Sequence, residues 1–138
     1  IIPQIILQLQ NEKKKIYFGN LTPTRDLTFV DDTCEGFLEI LKRKVFLGTV
    51  TNIGSKNEIS IKDLINKISR LMNINKEISF DKKRIRPKKS EVDRLVCDNS
   101  RIIKNSNWKP KFNLEKGLLK TIEWMLNNNK NIKNEYVI

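Results

Sequence analysis

Histidine is absent from the 138 residues, and so is any apolar run approaching the roughly 18 to 20 residues that a membrane-spanning helix needs. Without histidine the commonest general base is missing, and with it the usual partner of a serine or cysteine nucleophile. Cysteine is scarce. Cys34 and Cys97 lie far apart with no C-x-x-C spacing, so no metal site is expected, and both are read as reduced thiols in the interior. Aromatic residues make up only 7%, the five glycines are dispersed, and no internal repeat is present. The opening IIPQIILQLQ has neither the basic leader nor the small-residue cleavage site of a signal peptide, so the chain reads as soluble and cytoplasmic.

What remains is a basic chain with enough apolar material, 38%, for one modest core. A net charge of +11 and a pI near 9.8 suit an anionic partner: a nucleic acid, a membrane surface or a phosphorylated small molecule. Charge alone does not choose among them. Much of the excess is lysine scattered beside asparagine and isoleucine, which nucleotide bias in a genome produces with no binding role, and that plainer reading is preferred.

Periodicity predicts an irregular α/β order. Ile2, Ile5, Ile6 and Leu9 around Pro3 give a helix with an apolar face. KIYF (Lys15 to Phe18) reads as a strand, Gly19 to Thr24 as a loop, and Leu27 to Val30 as a second strand. A helix is expected from Asp32, capped by Asp32 with Glu35 reaching back, and burying Phe37, Leu38 and Leu41. A buried strand is expected at Thr49 to Ile53. Ser60 with Asp63 caps a helix carrying Ile61, Leu64, Ile65, Ile68 and Met72, which closes near Asn73. Then come a strand at Glu77 to Phe80, a charged loop from Asp81 to Lys89 and a short helix after Asp98. An extended WKPKF leads to a last helix capped by Asn113, with Leu114, Leu118, Leu119, Ile122 and Met125 inward. Trp108 and Trp124 are read as core residues. Residues 1–126 are taken as one domain with mixed short sheets, and 127–138 as a polar, frayed tail.

Four stretches in order then carry a resemblance: YFGNLTPTRDLTFVDDT (Tyr17 to Thr33), VTNIGS (Val50 to Ser55), RPKKSEVDRLVCDNS (Arg86 to Ser100) and WKPKFNLEKGLLKTIEW (Trp108 to Trp124). With the Pro3 helix, they make nearly the whole chain similar to the carboxy-terminal substrate-binding region of the extended short-chain dehydrogenases/reductases, NAD-dependent nucleotide-sugar epimerases and dehydratases. The G-N-L-x-P-T-R-D and R-P-x-x-S-E-V forms look most like sugar-nucleotide 4,6-dehydratases, with UDP-N-acetylglucosamine the first substrate implied. The fold implied is a small mixed α/β substrate-binding domain lacking most of the Rossmann domain. A homodimer of the full enzyme is among the implied partners; a nucleic acid and a membrane are not.

The resemblance assigns Arg25 and Arg86 to the diphosphate of a nucleotide sugar. Arg25 follows a loop containing Gly19, Asn20 and Pro23, and its planar fork matches two phosphate oxygens; an ion pair with Asp26 or Asp31 is the alternative. Arg86 sits among Lys82, Lys83, Arg84, Lys88 and Lys89, where a solvated basic loop is the alternative. Main-chain groups of Ile16 and Phe18 are assigned to the base, against plain sheet pairing. Glu91 falls near the position of an acid that holds the ribose hydroxyls, although the gap after Pro87 is longer than in related epimerases.

The departures are equally informative. The family's catalysis needs a G-x-x-G-x-x-G turn for the NAD pyrophosphate and a Tyr-x-x-x-Lys base, and neither occurs here. Tyr17 has Leu21 four residues on, and Tyr136 lies too near the end for the position to exist. No catalytic residue is therefore assigned, and NAD is expected to belong to a missing amino-terminal Rossmann domain. The resemblance further implies that the first helix and the faces beside Thr49 to Ile53 pack against that domain. Two rival readings stand beside this one: a small basic nucleic-acid-binding protein, for which no aromatic or recognition-helix signature is present, and a non-catalytic remnant.

Overall fold

The Ile2, Ile5, Ile6, Leu9 spacing folds as helix α1 (Ile2–Gln10), with Pro3 in its first turn, where a missing amide costs nothing. The computed structural model describes residues 1–85, 87 and 90–128; Arg86, Lys88, Lys89 and the expected tail from residue 129 on lie outside the described residues. The remaining elements are β1 (Lys15–Phe18), β2 (Thr24–Asp26), α2 (Val30–Leu41), β3 (Glu58–Ser60), α3 (Ile61–Met72), β4 (Glu77–Phe80), β5 (Arg94–Leu95), α4 (Ser100–Asn105) and α5 (Leu114–Asn127). Short 3-10 turns occur at Lys44–Phe46 and Lys82–Arg84. The class is the expected mixed α/β.

The chain forms two compact units. The first takes Ile1–Pro23, Ser60–Val92 and the residues from Leu118 on. In it β1 pairs in parallel with β4, Ile16 opposite Ile78 and Phe18 opposite Phe80, and α1 packs on α3 and β1. Ser60 caps α3 as expected: its Oγ accepts from the Asp63 amide at 3.0 Å and donates to the Asp63 carboxylate at 2.6 Å. Asn73 closes the helix in the left-handed region, φ 54°, which asparagine tolerates. The Gln8 side-chain amide bonds both main-chain groups of Tyr17, at 2.7 and 3.1 Å, and so acts as a neighbouring strand for an otherwise open edge.

The second unit takes Thr24–Ile59 and Asp93–Gly117. Its sheet runs β3-β2-β5, with β2 parallel to β5. Phe46, Ile102 and Trp108 form a small core, with Ile40 and Ile53 packed against it. Asn113 caps α5, its side chain accepting from the Lys116 amide at 2.9 Å.

Several expectations are corrected here. The second strand lies at 24–26, not 27–30, and α2 starts at Val30 with no side-chain cap. The inward stripe of α2 is Asp32, Gly36 and Ile40, spaced by four; Phe37, Leu38 and Leu41 face outward. A glycine at 36 is what allows this, because a Cβ there would lie 2.8 Å from Ile53 Cγ2. Thr49 to Ile53 is not a strand: among the described residues no neighbouring strand pairs with it, and Val50 is 84% exposed. The apolar face of α1 is buried within its own unit through Ile5, Ile6 and Leu9. Trp124, Leu119 and Cys34 are exposed rather than interior; Trp108, Leu118, Ile122 and Met125 are buried as expected.

Candidate functional site

Arg25 is the central residue of β2. Strand residues send alternate side chains to opposite faces, so Thr24 and Asp26 share one face and Arg25 takes the other. Both neighbours are tied down. The Thr24 amide donates to the Asp93 carbonyl at 2.9 Å, and its hydroxyl donates to Glu58 at 2.6 Å. Arg94 grips the same Glu58 carboxylate through Nε and Nη2 at 2.8 to 3.1 Å. Bonding to Arg94 and then Thr24 holds the Glu58 carboxyl below its ordinary range, and Glu58 in turn raises the Arg94 guanidinium. The Asp26 carboxylate takes the Ser55 amide and hydroxyl at 3.1 and 2.5 Å, the Lys56 amide at 2.8 Å and the Cys97 amide at 3.1 Å. Four donors occupy the roughly four lone-pair sites of that carboxylate. The half-buried Arg25 directs Nη1 to the Thr24 carbonyl at 2.7 Å.

The other assigned residues that the structure describes, Ile16, Phe18 and Glu91, belong to the first unit. Ile16 and Phe18 bury their side chains on β1, at 0% and 5% exposure, so only main-chain groups remain to be offered. The Phe18 carbonyl accepts the Asp81 amide at 2.9 Å. Gly19 of the G-N-L motif lies against the basic turn that follows, where a Cβ would sit 2.7 Å from the Arg84 carbonyl carbon. Asp81 caps that turn, accepting from the Lys83 amide and from Arg84 Nε at 3.0 and 3.2 Å. Arg86 falls outside the described residues. Glu91 is half-buried in the same unit, one residue beyond a turn in which Ser90 bonds back to Pro87.

Asp32, expected as a helix cap, has a different task. It is 1% exposed, and its carboxylate accepts the amides of Lys111 and Phe112 at 2.9 and 3.0 Å, while its carbonyl accepts Trp108 Nε1 at 2.9 Å. It therefore hangs the WKPKF loop on α2. Glu35, expected to reach back to the cap, pairs with Lys111 at 2.7 Å, and Phe29 meets Phe112 with ring centroids 4.6 Å apart. The loop walls an open cleft of about 780 Å³ whose lining includes Leu27, Ser55, Glu58, Ile103, Lys111 and Phe112. The D-D doublet before an apolar run was the signal for Asp32, but a cap and a buried latch look alike in sequence.

Burial, then the nearby carboxylates of Asp26 and Asp98, push the Cys97 thiol up, so it is a poor nucleophile. Among the described residues no cluster of His, Cys, Asp and Glu could hold a metal ion. Nor do the glycines fit a dinucleotide: Gly19 and Gly54 are wedged against backbone or Cys97, Gly36 and Gly117 lie inside helices, and none follows a strand to open a helix. Among the described residues no helix is long and apolar enough to cross a membrane.

Residues 1–121 match the family described as GDP-mannose 4,6 dehydratase. The chain belongs to this family. It is thus a member of the extended short-chain dehydrogenase/reductase family, which includes the nucleotide-sugar epimerases and dehydratases it resembles. It is 32% identical to the UDP-glucuronate 4-epimerase of Thermodesulfobacterium geofontis, over 94% of this chain and 39% of that protein. With human dTDP-D-glucose 4,6-dehydratase it is 32% identical over 97% of this chain and 39% of the relative. The Bacillus cereus UDP-glucuronic acid 4-epimerase, solved in complex with UDP-glucuronic acid and NAD, superposes with a TM-score of 0.80 at 26% identity, over 92% of this chain and 40% of that one. The chain therefore spans about two-fifths of the length of the family members it matches.

Proposed function

We propose that this chain is the substrate-binding part of an NAD-dependent nucleotide-sugar 4,6-dehydratase or epimerase, with UDP-N-acetylglucosamine as the first substrate to test. Arg25 carries the reading: a planar donor at the centre of a strand whose two neighbours are both anchored. In this reading Arg25 and Arg86 hold the diphosphate, main-chain groups of Ile16 and Phe18 meet the base, and Glu91 takes the ribose. The dehydratase form is supported by the G-N-L-T-P-T-R-D and R-P-K-K-S-E-V sequences, and a nucleotide-sugar ligand by the UDP-glucuronic acid held by the Bacillus cereus enzyme. NAD and the Tyr-x-x-x-Lys base lie outside these residues, in a Rossmann domain that would be the chain's main partner, and the 138 residues are inactive by themselves.

Calorimetric titration of the chain with UDP tests this, because the diphosphate is the proposed contact. Arg25→Ala is expected to weaken binding by about 1.5 to 3 kcal/mol, roughly 10- to 150-fold, with Arg25→Lys between the two because an ammonium restores charge without the fork. Equal UDP affinity in wild type and Arg25→Ala, or no UDP binding by wild type, removes the reading. The nucleic-acid alternative predicts instead polynucleotide binding that weakens steeply with salt and ignores UDP.

A further inference from the structure

We infer that Asp26 is a positioning residue for Arg25, acting through the backbone of β2; this rests on the proposed role of Arg25 in holding a diphosphate. β2 is the middle strand of its sheet but only three residues long, so the aim of its central side chain depends also on what fixes its ends. Asp26 fixes the carboxy-terminal end with bonds to three backbone amides and one hydroxyl, drawn from two separate loops. The Ser55 and Lys56 amides are consecutive, and Lys56 sits at φ 62°, so the loop curls its N–H groups into a concavity that the carboxylate fills. Gly54 is required beside it, because a Cβ there would come within 2.5 Å of Cys97 Sγ and 3.3 Å of Asp26 Oδ2. Buried Asn99 then secures the same loop, donating to the Gly54 carbonyl at 2.8 Å. The R-D and N-I-G-S sequences, far apart in the chain, are two halves of one mount.

The sign of the effect separates positioning from simple charge. Asp26→Asn removes a negative charge next to an anion-binding arginine, so electrostatics alone would tighten UDP binding. Positioning predicts the reverse, since an amide group would turn N–H toward the Lys56 or Cys97 N–H and release the strand end.

UDP and uridine are titrated into wild type, Arg25→Ala, Asp26→Asn and the double variant. The expected result is UDP binding weakened about tenfold or more by Asp26→Asn, uridine affinity unchanged, and a double variant no weaker than Arg25→Ala alone. Should Asp26→Asn fail to fold, Ser55→Ala, which deletes the hydroxyl that donates to Asp26 and accepts from the Asn57 amide, is expected to weaken UDP and not uridine by a few-fold. Unchanged or tighter UDP binding in Asp26→Asn, or in Ser55→Ala where that variant stands in, overturns the inference while Arg25→Ala still loses UDP and the diphosphate reading stands. Equal loss of UDP and uridine, or additive losses in the double variant, also overturns it, leaving Asp26 a merely structural residue. If Arg25→Ala binds UDP like wild type, the functional reading fails first and this inference with it.

Discussion

Among the described residues, nine large side chains are essentially inaccessible in the first unit: Ile5, Ile6, Leu9, Ile16, Leu64, Ile65, Ile68, Leu118 and Met125, every one apolar. In the second unit the same class contains only Ile102 and Asp32, and one of those is a carboxylate. At about 25 cal/mol per Å² of apolar surface, the first unit is held by area. The second adds hydrogen bonds from a few side chains to backbone groups distant in sequence: Asp32 on the 111–112 amides, Asp26 on three more, and Asn99 on Gly54. Area forgives a change of shape, whereas a buried amide that loses its acceptor pays its full desolvation. The region carrying Arg25 is thus well aimed but poorly buffered.

The largest test of that contrast changes no volume. Asp32→Asn is expected to cost roughly 2 to 4 kcal/mol, because one of the two amides held by this buried side chain would face an N–H in place of an oxygen. Leu64→Met, equally buried in the first unit, should cost less than about 1.5 kcal/mol. Urea denaturation of both variants settles the order, and a larger loss for Leu64→Met would end the contrast.

A second test concerns the surface the second unit leaves uncovered. Val30, Phe37, Leu38, Leu41 and Val50 are all more than half exposed, although α2 is strongly amphipathic. Phe37→Lys with Leu41→Lys should therefore change stability by no more than about 0.5 kcal/mol, since neither side chain is buried in this chain. Self-association should fall, because a contiguous apolar face is what drives it. Sedimentation velocity at matched concentration reads this directly; a wild-type chain that is already monomeric removes the face as an adhesive surface.

The same contrast explains what could be read in the sequence. Helix α3 was legible because its cap, its stripe and its left-handed Asn73 terminus all point one way, and the KIYF and EISF strands lie where alternation placed them. Helix α2 was not. Its most hydrophobic stripe, Phe37, Leu38 and Leu41, faces out, while the stripe that packs contains an aspartate and a glycine, which no hydrophobic pattern selects. Thr49 to Ile53 has strand composition, but a strand is defined by a neighbour and composition does not supply one. Arg25 was legible through the G-N-L-T-P-T-R-D motif; Asp26 and Asp32 were not assigned their tasks because their partners lie 29 to 80 residues away and are mostly backbone amides.

The smallest effect belongs to Glu58, a polar tie of the second unit within reach of water. Hydrogen bonds from Arg94 and Thr24 set its carboxyl below the ordinary value of 4.5. A group whose folded value is depressed contributes its stability above the unfolded value and loses it as pH falls through the folded one. The contribution is therefore complete at neutral pH and fades on the acid side, beginning near the ordinary glutamate range. Arg94 is largely solvent-exposed, so screening leaves the pair marginal, and salt should weaken it further. Glu58→Gln is expected to lower the melting temperature slightly at neutral pH and low salt, with the difference from wild type vanishing both once the pH falls below the depressed Glu58 carboxyl and at about 1 M salt. A difference that persists at acid pH would mean that Glu58 acts through its shape and its bond to the Thr24 hydroxyl rather than through its charge, and would place it with Asp26 and Asp32 among the residues whose partners are irreplaceable.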